Sequence, residues 1–365
     1  MFVVVFVSLL ALLLTYLEQK KVVHNGMKIG FILATFLGCI HYDYGNDYMG
    51  YYYIYNDVVK YPFYIDVVFS GERFKEVGWA LICYFFESIG GFFMLVAVFN
   101  IVQNILIYKT LRRYVQRKLL PFSVFIYFFT TNLYLLNFSM MRQGFVVCVF
   151  FGIWHLIIQR KVLPSLLILY LCAHIHTSAY ILLPFAFWGY ISVVKSKILA
   201  FSFLICFLLL WVGKGFMADF LNAFMTVDKF SAYAEVYSNS DSHVTYGLGY
   251  MLKQIPFILS ILYLFKKDIL PEHKAVVALG IIFYIIIPFG SLIPLIGRIA
   301  IYFEAYQMLS FPIIYFSINR KSIFWAVFGL YLFVTIYEYI YFFNNPIWID
   351  KYTTFKTIFT PLFNL

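Results

Sequence analysis

Long apolar runs recur along the chain, separated by polar breaks that are mostly short. They fall at about 1–17, 27–41, 90–108, 121–137, 143–158, 162–175, 177–193, 198–213, 247–265, 275–292, 298–317 and 322–342. A helix needs roughly 17–25 apolar residues to cross a ~30 Å hydrocarbon core. Helices and closed barrels alone satisfy their backbone in lipid. The pattern predicts an all-α polytopic membrane protein of about twelve transmembrane helices, with 1–365 as a single transmembrane domain. The pair 162–175 and 177–193 is short for two full crossings and reads as a tight hairpin whose tip lies inside the membrane boundary. Met1 to Leu17 lacks a basic leader and a small-residue cleavage site, so it reads as a retained span rather than a signal peptide.

Two breaks are long. The first, 41–89, is rich in tyrosine and carboxylates and ends in Trp79 to Ser88, which reads as a re-entrant helix before Gly90-Gly91. Asp43 and Asp47 share a face if this stretch is helical. The second, 214–246, carries an amphipathic run, FMADFLNAFM, and then a polar stretch. The tail, 344–365, sets Trp348, Tyr352, Phe355 and Phe359 at helical spacing and reads as an interfacial helix.

Composition sharpens this picture. The chain is 63% hydrophobic and 12% charged, against about 45–50% and ~25% in soluble proteins. The net charge of +10 does not point to nucleic acid. The basic residues crowd one set of short loops, which the positive-inside rule makes cytoplasmic, with both termini outside. Acidic residues gather on the other face, where chemistry is expected. All five cysteines lie in apolar stretches and read as small buried hydrophobes. No metal-ligand spacing appears, and no metal or cofactor is expected.

Ionisable residues at membrane depth are costly and by default suggest function. Arg142 and Arg298 each open a span at its outer end. A guanidinium offers a planar donor fork that suits phosphate and keeps its proton; lipid-headgroup snorkelling is the alternative for each, and so is a pair with Glu304 for Arg298. His174 and His176 sit at the hairpin tip, and Thr177 or Ser178 can cap the helix that follows. A neutral imidazole there can accept a proton. Asp47, Glu76 and Asp43 can activate a hydroxyl, bond sugar hydroxyls or solvate the loop. Glu87, Glu304 and Glu338 lie within apolar runs and should face the interior.

Several pieces occur in an order that resembles the EpsG-like, Wzy-type polysaccharide polymerases of bacterial surface-glycan pathways. They are Gly45-Asn46-Asp47-Tyr48, Glu76-Val77-Gly78-Trp79, Arg142-Gln143-Gly144, His176-Thr177-Ser178 with Pro184, and Arg298 with Tyr302. Trp79 stands where tyrosine is expected, and His174 adds a second histidine. The resemblance implies a multispanning glycosyltransferase of the bacterial inner membrane with a GT-C-like architecture. It implies transfer of a growing glycan from undecaprenyl diphosphate onto a new lipid-linked repeat at the periplasmic face, without nucleotide sugar. In that scheme Arg142 and Arg298 bind diphosphate, His176, Asp47 and Glu76 are catalytic, and Gln143, Tyr48, Tyr302 and His174 contact substrate. The partners are the lipid-linked oligosaccharide, membrane lipid, a chain-length regulator and a flippase. A glycan ligase, a membrane acyltransferase and a lipid-linked oligosaccharide flippase are competing expectations.

Overall fold

The computed structural model describes residues 1–64, 68–70, 74–131, 133–212, 248–290, 294–344, 346 and 349–360. Each apolar run forms helix over its described residues. In order these are α1 (Phe2–Gln19), α2 (Gly26–Ile40), α3 (Tyr48–Val59), α4 (Val77–Glu87), α5 (Gly91–Tyr114), α6 (Leu120–Phe129), α7 (Leu133–Ser139), α8 (Met141–Gly152), α9 (Trp154–Ile158) and α10 (Val162–Ile175). A 3-10 helix (Thr177–Val193) follows, then α11 (Ser196–Val212), α12 (Leu248–Lys253), α13 (Ile255–Leu264), α14 (Pro271–Gly290), α15 (Pro294–Glu304), α16 (Gln307–Ser317), α17 (Lys321–Asn344) and α18 (Ile349–Thr353). The chain is an all-α membrane protein. Among the described residues six helical stretches are long and apolar enough to cross a bilayer, or seven if the pair Ile296–Glu304 and Gln307–Ser317, bent by 54°, is one span. The remaining apolar helices are 10–17 residues long. The expected amphipathic run of 214–246 lies outside the described residues.

Contacts divide the chain into two compact units, Met1–Gly189 with Thr335–Leu365, and Tyr190–Val334. In the first, α1 buries a stripe of Val4, Ser8, Ala11, Thr15 and Glu18 and exposes Phe2, Phe6, Leu9 and Leu13, as a lipid-facing helix does. The stripe is small, so α2 comes close: a Cβ on Gly30 would stand 2.7 Å from the Cα of Ala11. Glu18 locks the turn by accepting from Met27 N at 2.8 Å and pairing with Arg112 at 2.5 Å. On α5, Asn100, Gln103 and Asn104 are buried at i, i+3 and i+4. Tyr127 OH donates to Asn104 Oδ1 at 3.1 Å, and the Nδ2 groups of Asn100 and Asn104 donate to the carbonyls of Val96 and Asn100, one turn back on the same helix.

Among its described residues the segment 41–89 is only partly helical. His41–Tyr42 is extended and pairs antiparallel with Lys356–Thr357. Asp43 has φ +43° and α3 begins at Tyr48. Asp43 and Asp47 therefore do not share a helical face. Asp43 turns to the tail instead, where Lys351 and Lys356 reach its two oxygens at 3.1 and 3.0 Å. Among its described residues beyond Asn344 the tail is helical over Ile349–Thr353; after that the backbone folds back, and Ile358 N donates to Ile40 O at 2.9 Å.

The segment Thr177–Val193 is a 17-residue 3-10 helix rather than an α-helix. Its buried residues Ala179, Leu182, Ala186, Gly189 and Ser192 recur every third position, with one step of four across Pro184. That is the eclipsed stripe a 3-10 helix presents, and four of its five members are small. Gly189 has no room for a side chain, since a Cβ there would meet Ile157 O at 2.1 Å. At ~2.0 Å per residue the segment extends about 34 Å, the thickness of a hydrocarbon core.

In the second unit α14 packs on α15 and α16. Lys274 Nζ donates to Val194 O at 2.5 Å, and Tyr331 OH donates to Gln307 Oε1 at 3.3 Å beside the α15–α16 bend.

Candidate functional site

Glu76 joins three sequence pieces. It stands just before α4, and Gly78 lets that helix start close to the end of α10: a Cβ on Gly78 would lie 2.9 Å from the carbonyl carbon of His174. The close approach brings Glu76 to Thr177, which donates its backbone N–H at 2.8 Å and its hydroxyl at 3.1 Å to Glu76 Oε1. His176 Nδ1 lies 3.5 Å from the same oxygen. The other oxygen, Oε2, accepts from Arg142 Nη1 in an ion pair. Both side chains are largely buried, at 17% and 16% exposed, where a charge pair is screened less than on the surface.

Arg142 opens α8, one residue inside its first turn. Its guanidinium lies 5.1 Å from the Tyr51 ring and 5.3 Å from the Trp79 ring, within cation–π range of both. An aromatic at position 79 is thus used as a platform. Among the described residues Arg142 makes no hydrogen bond through Nε or Nη2. The fork is anchored by one nitrogen, and its other edge is unspent.

A pocket of about 440 Å³ opens beside this group, lined by Tyr53, Ile54 and Asp57 of α3, by Phe74, Lys75 and Glu76, and by Trp79 and Arg142. The size falls within the ~300–1,000 Å³ of small-molecule sites. Among the described residues neither Asp57 nor Lys75 spends its charge on an ion pair or hydrogen bond.

Asp47 is held from its backbone. Its N–H donates to Ser139 Oγ at 3.3 Å, and Ser139 Oγ donates to Asn46 Oδ1 at 2.6 Å. Tyr352 OH donates to the same Asn46 oxygen at 2.9 Å, and Gly45 N donates to Lys351 O at 3.2 Å. Gly45 has φ +108° and faces Phe138 O, so only glycine fits the bend. The Asp47 carboxylate makes no hydrogen bond or ion pair among the described residues. It sits one helical turn before Tyr51, on which Arg142 rests.

The other sequence-predicted residues fall elsewhere. Tyr48 is fully buried against His41 and Phe92 and forms part of the aromatic core. Gln143 is also fully buried. His174 packs edge-on to Tyr170 at 4.6 Å, and His176 is the imidazole that meets Glu76. Glu87 is exposed rather than interior and accepts from Tyr55 OH at 2.7 Å. Cys206 is exposed, whereas Cys83, Cys148 and Cys172 are buried as expected. In the second unit Arg298 is exposed and Tyr302 fully buried. Sequence reasoning gave no site role to Tyr51, Asn46, Ser139 or Tyr352, and named Tyr352 only as a tail aromatic. Only Asn46 carried a signal, its place inside the Gly45–Tyr48 piece.

A model of the EpsG family matches residues 27–356, a range that holds every one of the ordered pieces. No curated protein and no solved structure matches the chain.

Proposed function

The chain belongs to the EpsG family, and from that premise we propose that it is a membrane glycosyltransferase that polymerises lipid-linked oligosaccharide repeats. The donor is a growing glycan on undecaprenyl diphosphate, and the acceptor is the terminal sugar of a new lipid-linked repeat. The reaction takes place at the periplasmic face of the bacterial inner membrane, with both termini on that side. A GT-C-like frame of about twelve crossings is part of this proposal; six or seven helical stretches among the described residues are long and apolar enough to cross.

The chemistry divides among the residues around Glu76. The acceptor hydroxyl oxygen attacks the anomeric carbon. The bond from that carbon to the diphosphate oxygen breaks, and its electron pair leaves on the diphosphate. Arg142 takes up this charge through its unspent edge, which is the largest single assistance such a step can receive. The hydroxyl proton passes to His176, whose Nδ1 faces Glu76, so that the imidazolium formed is stabilised by the carboxylate. Asp47 faces the positive character that develops at the anomeric carbon. Glu76 is a positioning residue, because its oxygens already accept from Arg142 and Thr177. Arg298 keeps its assignment as a second diphosphate contact on guanidinium chemistry alone.

The observation that carries this reading is the convergence of Arg142, His176 and Thr177 on the one carboxylate of Glu76. Its test is mass spectrometry of lipid-linked products after mixing purified protein with synthetic undecaprenyl-diphosphate repeats. A ladder of lengths with release of undecaprenyl diphosphate is the expected result. Repeats that stay single refute polymerisation, and repeats transferred to another acceptor at unchanged length indicate a ligase.

A further inference from the structure

The pocket beside Arg142 holds more than a diphosphate needs. Four ionisable side chains line it, and they cancel: Asp57 and Glu76 against Lys75 and Arg142. A subsite for a polyanion would carry net positive charge. A neutral ring with many hydroxyls needs acceptors and donors in balance. Asp57 and Lys75 supply one of each, unspent among the described residues. The walls are aromatic, with Tyr53 64% exposed and Phe74 and Trp79 behind it. Such rings suit the apolar C–H face of a sugar and leave its hydroxyls to the charged groups. Arg142 forms one wall, so a ring seated here lies next to whatever phosphate the guanidinium holds.

We propose that this pocket seats the sugar ring bonded directly to the leaving diphosphate, with Tyr53 against its face and Asp57 and Lys75 on its hydroxyls. The assignment rests on the glycan-transfer reading, and it makes Tyr53, Asp57 and Lys75 the residues that select the first sugar of the repeat. Asp57 accepts from ring hydroxyls and Lys75 donates to ring or hydroxyl oxygens. No bond is made or broken by either.

The test is equilibrium binding to the full chain in detergent. The probes are bare undecaprenyl diphosphate and undecaprenyl diphosphate carrying glucose, galactose or their 2-acetamido forms. With wild-type protein, at least one sugar-bearing lipid is expected to bind about tenfold or more tightly than the bare lipid, the scale of a hydrogen bond to a charged group. Tyr53→Ala and Asp57→Ala are expected to remove most of that advantage and leave binding of the bare lipid unchanged. Both side chains are exposed, so the fold should persist, and thermal unfolding checks it; Lys75→Gln serves as an independent third variant. The proposal is overturned if no sugar improves on the bare lipid, or if the advantage survives in all three variants. Polymerisation is read separately. Sugar-dependent binding that needs Tyr53 and Asp57, in protein that joins no repeats, keeps the pocket and removes the polymerase reading.

Discussion

Thr177 gives both of its donors to a single oxygen of Glu76, at 2.8 Å from the backbone and 3.1 Å from the hydroxyl. The second oxygen is thereby left to Arg142. One carboxylate thus fixes the start of α8 to the start of the 3-10 helix, with its charge holding Arg142 and its acceptor capacity holding Thr177.

Glu76→Gln retains an acceptor for Thr177 and loses the charge that holds Arg142. It should lower stability by about 2 kcal/mol, the scale of a charge-assisted hydrogen bond, and it should stop chain growth. Thermal unfolding in detergent and glycan chain length measure the two effects. A variant of normal stability and normal chain length would remove Glu76 from the site.

Arg142→Lys keeps a positive charge but loses the fork, along with its planar contact to Tyr51 and Trp79. Turnover should fall about 10²-fold or more, as when one donor to a developing anion is removed, and Arg142→Ala should leave single repeats on lipid. Initial rates with synthetic repeats give the first value, and lipid extraction from cells the second.

The helices were legible in the sequence because lipid imposes one rule, a long apolar run, that local composition carries. The conformation of 177–193 was not legible from hydropathy, since α and 3-10 helices have the same apolar content; the period-three stripe from Ala179 to Ser192 is its trace in the sequence. Arg142, Glu76 and His176 stood out as ionisable groups beside apolar runs. Their meeting did not, because it depends on Gly78 admitting α4 against His174, a contact between residues 96 positions apart. The fold-back of the tail was hidden for a similar reason: Asp43 pairs with lysines more than 300 residues later.

The two histidines should separate cleanly. His176→Gln should lower turnover by about 10²–10⁴, the range for loss of a general base. His174→Phe should be tolerated, because that ring packs against Tyr170 and Tyr180 and an aromatic replaces it. Equal defects in both would move the base elsewhere.

Acid should release the tail late. Burial raises the Asp43 carboxyl, but hydrogen bonds and charge from Lys356 and Lys351 outweigh it and leave the pKa below the ordinary value. A group depressed on folding contributes fully above its unfolded pKa, about 3.9, and loses that contribution as pH falls through the folded value. Amide exchange at Thr357 and Ile358, corrected for intrinsic rate, should therefore match neutral behaviour at pH 5 and rise only below about pH 4. Asp43→Asn should raise it at every pH above that.

Tyr352→Phe removes one donor from Asn46 and keeps the ring packing against Tyr44. It should cost about 1 kcal/mol, read as a small drop in unfolding temperature. Gly45→Ala should cost more, since a Cβ at φ +108° meets Phe138 O.

Residue 41 is bridged to residue 357, and in sequence the second unit, 190–334, falls between the two parts of the first. A ribosome emits these pieces in order. The stretch that bears Asp47 leaves early and waits, while some three hundred residues pass, for Lys351 and Lys356 to arrive. The site-bearing unit therefore closes only after the second unit has emerged, and a nascent chain halted before residue 346 would hold every catalytic candidate yet lack the lysines that latch Asp43, four residues from Asp47.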